Sequence, residues 1–282
     1  MAALTKDLGM ATAPPPPASS RRRSVPVWRW VILLIAAVYF LLPLIAALRF
    51  AGFKAFGTVF TQQGFGSALW LSVRFAAVTW LVTMVLMIPT TVYIHLRLPG
   101  LRRLLEGITI LPIVIPPVVL IIGVLQVMPL ALRASVWMLP LEYVILAMPF
   151  AYRALDAGLR AIDVKTLTEA SNSLGAGWLT TLWRVILPNL RTGVLSATIL
   201  IVALVLGEFT MASLDLQQTF PVWIVLFDQF NAPMSVAASI FALLVTWFFL
   251  MLITVVATRQ SRRTGGGEVT LFTVAPRETI GN

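Results

Sequence analysis

Cysteine is absent from the 282 residues, and histidine occurs once, at His95. Without thiols there is neither a disulfide framework nor a thiolate metal site. With one imidazole and acids scattered singly along the chain, a zinc centre or a histidine-based triad lacks its parts. Charge is scarce as well: Asp, Glu, Lys and Arg make up 11% of the residues, against 59% hydrophobic. Soluble domains carry about 25% charged residues, so this chain belongs to the membrane-embedded class. An enzyme is not expected, nor a cofactor in this chain.

What remains is a series of long apolar runs. A helix needs about 20 apolar residues to cross the hydrocarbon core, and six runs come near that length: Val31 to Ala47, Ser67 to Ile94, Leu104 to Met128, Val136 to Leu155, Gly193 to Leu214 and Ser235 to Thr258. The expected fold is an all-α membrane protein of six transmembrane helices, spanning 28–259 as one domain. The third run contains Pro112, Pro116 and Pro117; proline removes a helix hydrogen bond, so this span is expected to kink or break. The fourth is interrupted by Glu142 and ends inward at Arg153 and Asp156.

A net charge of +10 would suit a nucleic-acid partner, but the basic residues sit in short clusters between the apolar runs. They read as topology signals, because Lys and Arg favour the cytoplasmic side. Placing both termini inside puts seventeen of the 21 basic residues on the cytoplasmic side, leaves Arg49, Lys54 and Arg133 outside, and puts Arg74 within a span. No nucleic acid is expected; lipid surrounds the domain. The first 27 residues, with Pro14 to Pro17 and Arg21 to Arg23, lack the apolar surface to fold and read as a disordered cytoplasmic tail; residues 260–282 read as a second tail. A signal peptide is the competing reading at the N-terminus, but Trp30 to Leu48 is long for its apolar region.

The longest polar interruption, residues 156–191, is itself patterned. Val164, Leu167, Ala170 and Leu174 follow helical spacing, Thr166 and Glu169 suit a capping box, and Gly175 or Gly177 suits the helix end. A second segment runs from Trp178 to Ile186 and is expected to stop at Pro188. Composition and periodicity alone leave this as an amphipathic surface helix. The spacing adds more: Glu169-Ala170-Ser171, then Gly175 four residues on, then Val185-Ile186-Leu187-Pro188 with Pro188 thirteen residues past Gly175. This resembles the Glu-Ala-Ala loop of the permease subunits of binding-protein-dependent ABC importers, and it lies between the fourth and fifth runs as it does there. The family's second Ala is Ser171 here.

The resemblance implies that the loop is a coupling helix seated in a groove of a cytoplasmic ATPase, with Glu169, Ala170, Ser171, Gly175, Leu167, Leu174 and Pro188 as coupling residues. It implies as partners a second permease, identical or homologous, an ATPase dimer that binds ATP and Mg, and an extracytoplasmic substrate-binding protein. The chain lacks a phosphate-binding loop of its own, since Lys165-Thr166 follows Val164 where glycine is required. A secondary transporter, which would need no ATPase, is the alternative class.

Inside the spans, Arg74 and Glu208 are the sharpest signals, because an intramembrane charge is costly unless paired or hydrated. Both lie roughly 9–10 Å below the outer surface at 1.5 Å per residue. Equal depth suits an ion pair; otherwise Glu208 faces the translocation path and Arg74 reaches outward. Glu208 and Asp215 are seven residues apart with Met211 between, which puts them on one helical face. With Asp228 they would form an acidic outer vestibule suited to cations. The segments Leu206-Gly207-Glu208-Phe209 and Thr219-Phe220-Pro221-Val222 look like the subgroup that handles polyamines, ferric iron, thiamine or phosphonates, rather than sugars. A polyamine is the expected cargo, with ferric iron, thiamine, phosphonate or a sugar left open.

Overall fold

The computed structural model describes residues 27–133 and 135–264, with side chains over 28–133 and 135–255. The N-terminal tail expected over 1–27, save Val27 in α1, and nearly all of the C-terminal one lie outside the described residues. The described chain is all α-helical. Four helices are long and apolar enough to cross a membrane, and two bent pairs pass the same test as one span each.

The chain divides into two compact units at Ala46. In the first, the start of α1 (Val27–Val59) is a continuous apolar helix with largely exposed side chains, the surface that lipid contact requires. The second unit begins within α1, which bends at Gly52, where φ is +68°. Then come α2 (Phe65–Arg97), a 3-10 turn at Pro99–Leu101, α3 (Arg102–Val114), α4 (Pro117–Val127), α5 (Leu130–Arg133) and α6 (Met138–Arg160). The loop helices α7 (Val164–Ser173), α8 (Trp178–Thr181) and α9 (Leu187–Asn189) follow, with a π turn at Leu182–Ile186 joining the last two. The chain ends in α10 (Arg191–Gly207), α11 (Thr210–Leu214), α12 (Phe220–Asp228) and α13 (Ala232–Thr264).

The third apolar run breaks as its prolines predict. α3 ends at Val114, Ile115 turns extended, and α4 starts at Pro117 at an angle of 97° to α3. Pro116 and Pro117 cannot donate to the preceding turn, and the residue before a proline is pushed out of the α region. The fifth span departs from expectation. α10 stops at Gly207 because Glu208 takes an extended conformation (ψ 124°), so the run does not continue to Leu214. Seventeen residues are short for a crossing, and the Trp178–Asn189 segment joins α10 at 78° to complete the pair. The second segment of the loop also runs through Pro188 to Asn189 instead of stopping there. α13 is helical through Thr264, past the boundary expected at 259.

The core of the second unit lies where α2, α6 and α10 meet, around the fully buried Phe75, Tyr143, Leu155 and Ile201. Small residues let the backbones close in: a Cβ on Gly158 would stand 2.9 Å from Gly193 Cα, and one on Gly193 would stand 3.0 Å from the Ala154 carbonyl. In lipid such close packing replaces the hydrophobic drive that water supplies. Polar ties fix the register. Trp80 Nε1 donates to Thr198 Oγ1 at 2.9 Å, Thr79 Oγ1 donates to the Pro140 carbonyl at 3.2 Å, and the Phe220 N–H donates to Ser72 Oγ at 2.7 Å. A second, aromatic cluster joins Phe65, Phe220 and Trp223; Trp223 Nε1 donates to the Gln63 carbonyl at 3.2 Å. Gly64 permits this, with φ at +86° and room for no Cβ nearer than 3.0 Å to that indole.

Candidate functional site

The loop between α6 and α10, expected to be the coupling loop, is a closed structure. Asp163 caps α7: its Oδ1 accepts from the Thr166 N–H at 3.2 Å and its Oδ2 accepts from Thr166 Oγ1 at 2.7 Å. These bonds, the Thr166 hydroxyl foremost, hold the carboxyl below the usual aspartate range. The expected capping box therefore shifts by one turn: Thr166 is the donor to the cap, and Glu169 does not reach back to it. Glu169 lies exposed, 3.9 Å from Lys165 Nζ. At the other end Gly175 has φ +80°, and the Ala176 N–H reaches the Ser171 carbonyl while the Gly175 N–H reaches that of Asn172. This pair of bonds is the Schellman arrangement, which favours glycine in the left-handed position.

The apolar face differs from the expected one. Val164 and Ser171 are buried and Leu167 is half-buried, whereas Ala170 is exposed and Leu174 is 89% exposed. The reason is the partner helix: Ser171 Oγ meets Thr181 Oγ1 at 2.9 Å, turning Ser171 toward α8 and its two neighbours outward. Glu169, Ala170 and Leu174 thus form an outward face made of a charge, a small residue and an uncovered leucine. Pro188 is exposed too, and with Leu187, Trp183 and Arg191 it borders an apolar cavity of about 950 Å³ that α2, α10 and α13 complete.

Deep in the spans the acids are arranged differently from expectation. Glu208 does not pair with Arg74. Its Oε2 accepts from Tyr143 Oη at 2.8 Å and from the Ala212 N–H at 3.2 Å, and its Oε1 accepts from the Met211 N–H at 2.8 Å. It therefore ends α10, starts α11 and joins both to α6. Arg74 is exposed, with its guanidinium carbon 4.6 Å above the Trp137 ring, a cation–π contact. The break at Glu208 also removes the single helical face expected for Glu208, Met211 and Asp215. Met211 is fully buried and Asp215 half-buried, with its Oδ2 unpartnered among the described residues. Asp228 is exposed at the end of α12.

Two members of this cluster carry no mark as site residues in the sequence. Tyr143 sits in an apolar run, where nothing singles out its hydroxyl. Glu142 stands out only as an interruption of that run. It is 2% exposed, its carboxylate oxygens lack partners among the described residues, and it lies in the field of Asp215 and Glu208. A third unanticipated group is at the opposite end of α6, where Asp156 bridges Arg102 and Arg160 at 2.6 and 2.7 Å.

Residues 96–266 match the family described as binding-protein-dependent transport system inner membrane component. Among curated proteins the chain is similar to the molybdenum transport system permease protein ModB of Mycobacterium tuberculosis, 28% identical over 199 residues, covering 66% of this chain and 75% of that one. It is 30% identical over 212 residues to a probable molybdenum ABC transporter permease of Haloferax volcanii, covering 70% and 78%. It is 31% identical over 127 residues to ModB of Escherichia coli, covering 39% and 54%. These relatives are named for molybdenum, and none for a polyamine. The cationic-cargo expectation has no counterpart in these names. Of the three acids behind that expectation, Glu208 is committed to its own backbone and Tyr143, Asp215 is half-buried and Asp228 is exposed.

Proposed function

We propose the cargo and working cycle of this chain from one established premise: it belongs to the binding-protein-dependent transport system inner membrane components. As the permease subunit of an ABC importer it is a multi-pass inner-membrane protein and not itself an enzyme; an ATPase and a binding protein are its partners in such a system. The cargo is molybdenum in the form stable in neutral, oxygenated water, the oxyanion molybdate. The names of the relatives support this choice.

The observation that carries the coupling role is the outward face of α7. One side of the helix is fixed by Val164 and the Ser171 hydroxyl, so Glu169, Ala170 and Leu174 are presented as a rigid unit. A short helix with a small residue at its centre approaches a partner groove closely, and an uncovered leucine gains from burial there. The loop and both termini lie in the cytoplasm, in keeping with the basic residues around it. Two permeases, identical or homologous, form the path. A pair of ATPases closes on ATP and moves both coupling loops, and the external receptor delivers the oxyanion and sets most of the selectivity.

The test reconstitutes the chain with its ATPase and receptor in liposomes and follows radiolabelled molybdate. Uptake that needs ATP, receptor and this chain together is the expected result. A receptor that binds spermidine and ignores molybdate overturns the cargo; uptake independent of ATP overturns the importer cycle. Glu169→Ala is expected to leave the complex assembled and to lower receptor-stimulated ATP hydrolysis.

A further inference from the structure

A push on the coupling loop has to reach a span that the loop does not continue into, and the last turns of α6 hold the parts for that transfer. Asp156 lies there, 7% exposed, one turn before the end of the helix, with both carboxylate oxygens engaged. Arg102 Nη2 stands 2.6 Å from Oδ1 and 2.9 Å from Oδ2. Arg160 places Nη2 and Nε 2.7 and 2.9 Å from Oδ2.

The two arginines differ in what they connect. Arg160 is on α6 itself, one turn on, so it balances charge within a single helix. Arg102 opens α3, 54 residues away in sequence, so its bond joins two elements. A second bond reinforces the same junction: Tyr152 Oη donates to the Arg102 carbonyl at 3.4 Å. α6 therefore grips the first residue of α3 by its side chain and its backbone. Two residues past Asp156, Gly158 meets Gly193 near the start of α10. Both legs of the loop, α6 leading out and α10 leading back, thus share one tight seam beside the Asp156–Arg102 contact. Beyond α3, the other half of the broken span, α4, packs on α11, the helix that Glu208 starts.

We propose that Asp156 is a positioning residue that relays movement of the coupling loop through Arg102 to the broken α3–α4 span. The proposal rests on the coupling function given above. An ion pair in which one guanidinium nitrogen contacts both oxygens of a nearly buried carboxylate is short and charge-assisted, and with the Tyr152 bond to the Arg102 carbonyl it makes α6 and the start of α3 move together instead of sliding. The opposite end of the broken span is then displaced against α11, where the interior acids lie.

The test uses the full complex with its ATPase and receptor in liposomes and reads molybdate moved per ATP hydrolysed. Asp156→Asn and Arg102→Gln are expected to lower that ratio about tenfold, the range of coupling changes along such networks, while the complex assembles and basal hydrolysis persists. Arg160→Gln and Asp156→Glu are expected to stay near wild type, since the first leaves the α6–α3 bond and the second keeps the carboxylate. A merely structural ion-pair cluster would make Arg160→Gln as harmful as Arg102→Gln, and that result overturns the relay. So does an unchanged ratio in Asp156→Asn or, should that variant fail to assemble, in Arg102→Gln. Wild-type complex that hydrolyses ATP without moving molybdate instead overturns the function proposed above, and the relay with it.

Discussion

Ser171 and Thr181 face each other across the loop between α6 and α10 with their hydroxyl oxygens 2.9 Å apart, both buried. The serine stands where the resembling family has alanine, and the threonine ten residues on gives its hydroxyl a partner. Replacing one member leaves the other buried without its bond, a cost of about 1–3 kcal/mol. Ser171→Ala is therefore expected to destabilise α7 against α8, and Ser171→Ala with Thr181→Val to recover most of the loss. A double-mutant cycle on amide exchange over residues 163–182 measures the coupling; additive single effects would mean the two hydroxyls act independently.

The Gly158–Gly193 crossing has no room for a side chain. A Cβ on Gly193 would stand 3.0 Å from the Ala154 carbonyl and 3.2 Å from Gly158 Cα. Gly193→Val is expected to cost about 1–3 kcal/mol by overpacking, seen as a lower melting temperature in detergent. Gly107→Ala, in α3 with open space around it, is expected to stabilise by about 0.4–1 kcal/mol by narrowing the unfolded ensemble.

Arg74 and Glu208 serve different neighbours, so their effects should add. The summed losses of Arg74→Ala and Glu208→Ala are expected to match the double variant within about 0.5 kcal/mol. The exchange Arg74→Glu with Glu208→Arg should restore nothing, because a guanidinium at position 208 would face the Met211 and Ala212 N–H groups, which need an acceptor. Transport regained in the exchanged chain would reinstate the ion pair.

Asp163 predicts an acid dependence of the loop. Its folded-state pKa lies below the ordinary aspartate value of 3.8 because of its bonds to Thr166. The stabilisation is therefore complete above the unfolded value and disappears as pH falls through the lower folded value. Asp163→Asn should keep the cap at neutral pH, since asparagine caps about as well as aspartate, and should remove this contribution to the acid dependence. Asp163→Ala should fray α7 at neutral pH. Amide exchange at Thr166, followed from neutral pH to well below the ordinary aspartate value, checks both.

Much of this architecture is legible along the chain. Apolar length marks the spans because the bilayer demands about 20 residues of any helix that crosses it, and proline chemistry marks the break at Pro116-Pro117. The end of α7 is legible because glycine at 175 acts through the local backbone, whereas Pro188 does not end its segment as expected. The start of α7 is ambiguous by one turn, since both Asp163 and Thr166 are good capping residues and only the bonds formed distinguish them.

By itself the sequence determined the class, an all-helical membrane protein of the binding-protein-dependent family, and the position of the patterned loop between α6 and α10, because hydropathy, proline and glycine exert their effects within a turn or two. Tertiary structure alone decided the polar partners. Arg74 and Glu208 lie at matching depths on different spans, yet one rests over Trp137 and the other caps α11 and accepts from Tyr143. Depth along each helix is written in the sequence, but the direction a side chain faces depends on how α2, α6 and α10 rotate against one another. Small residues such as Gly158 and Gly193 set that rotation by permitting contact at one place. Asp156 and Arg102 follow the same rule: 54 residues apart, they become neighbours only when α3 is laid against the end of α6.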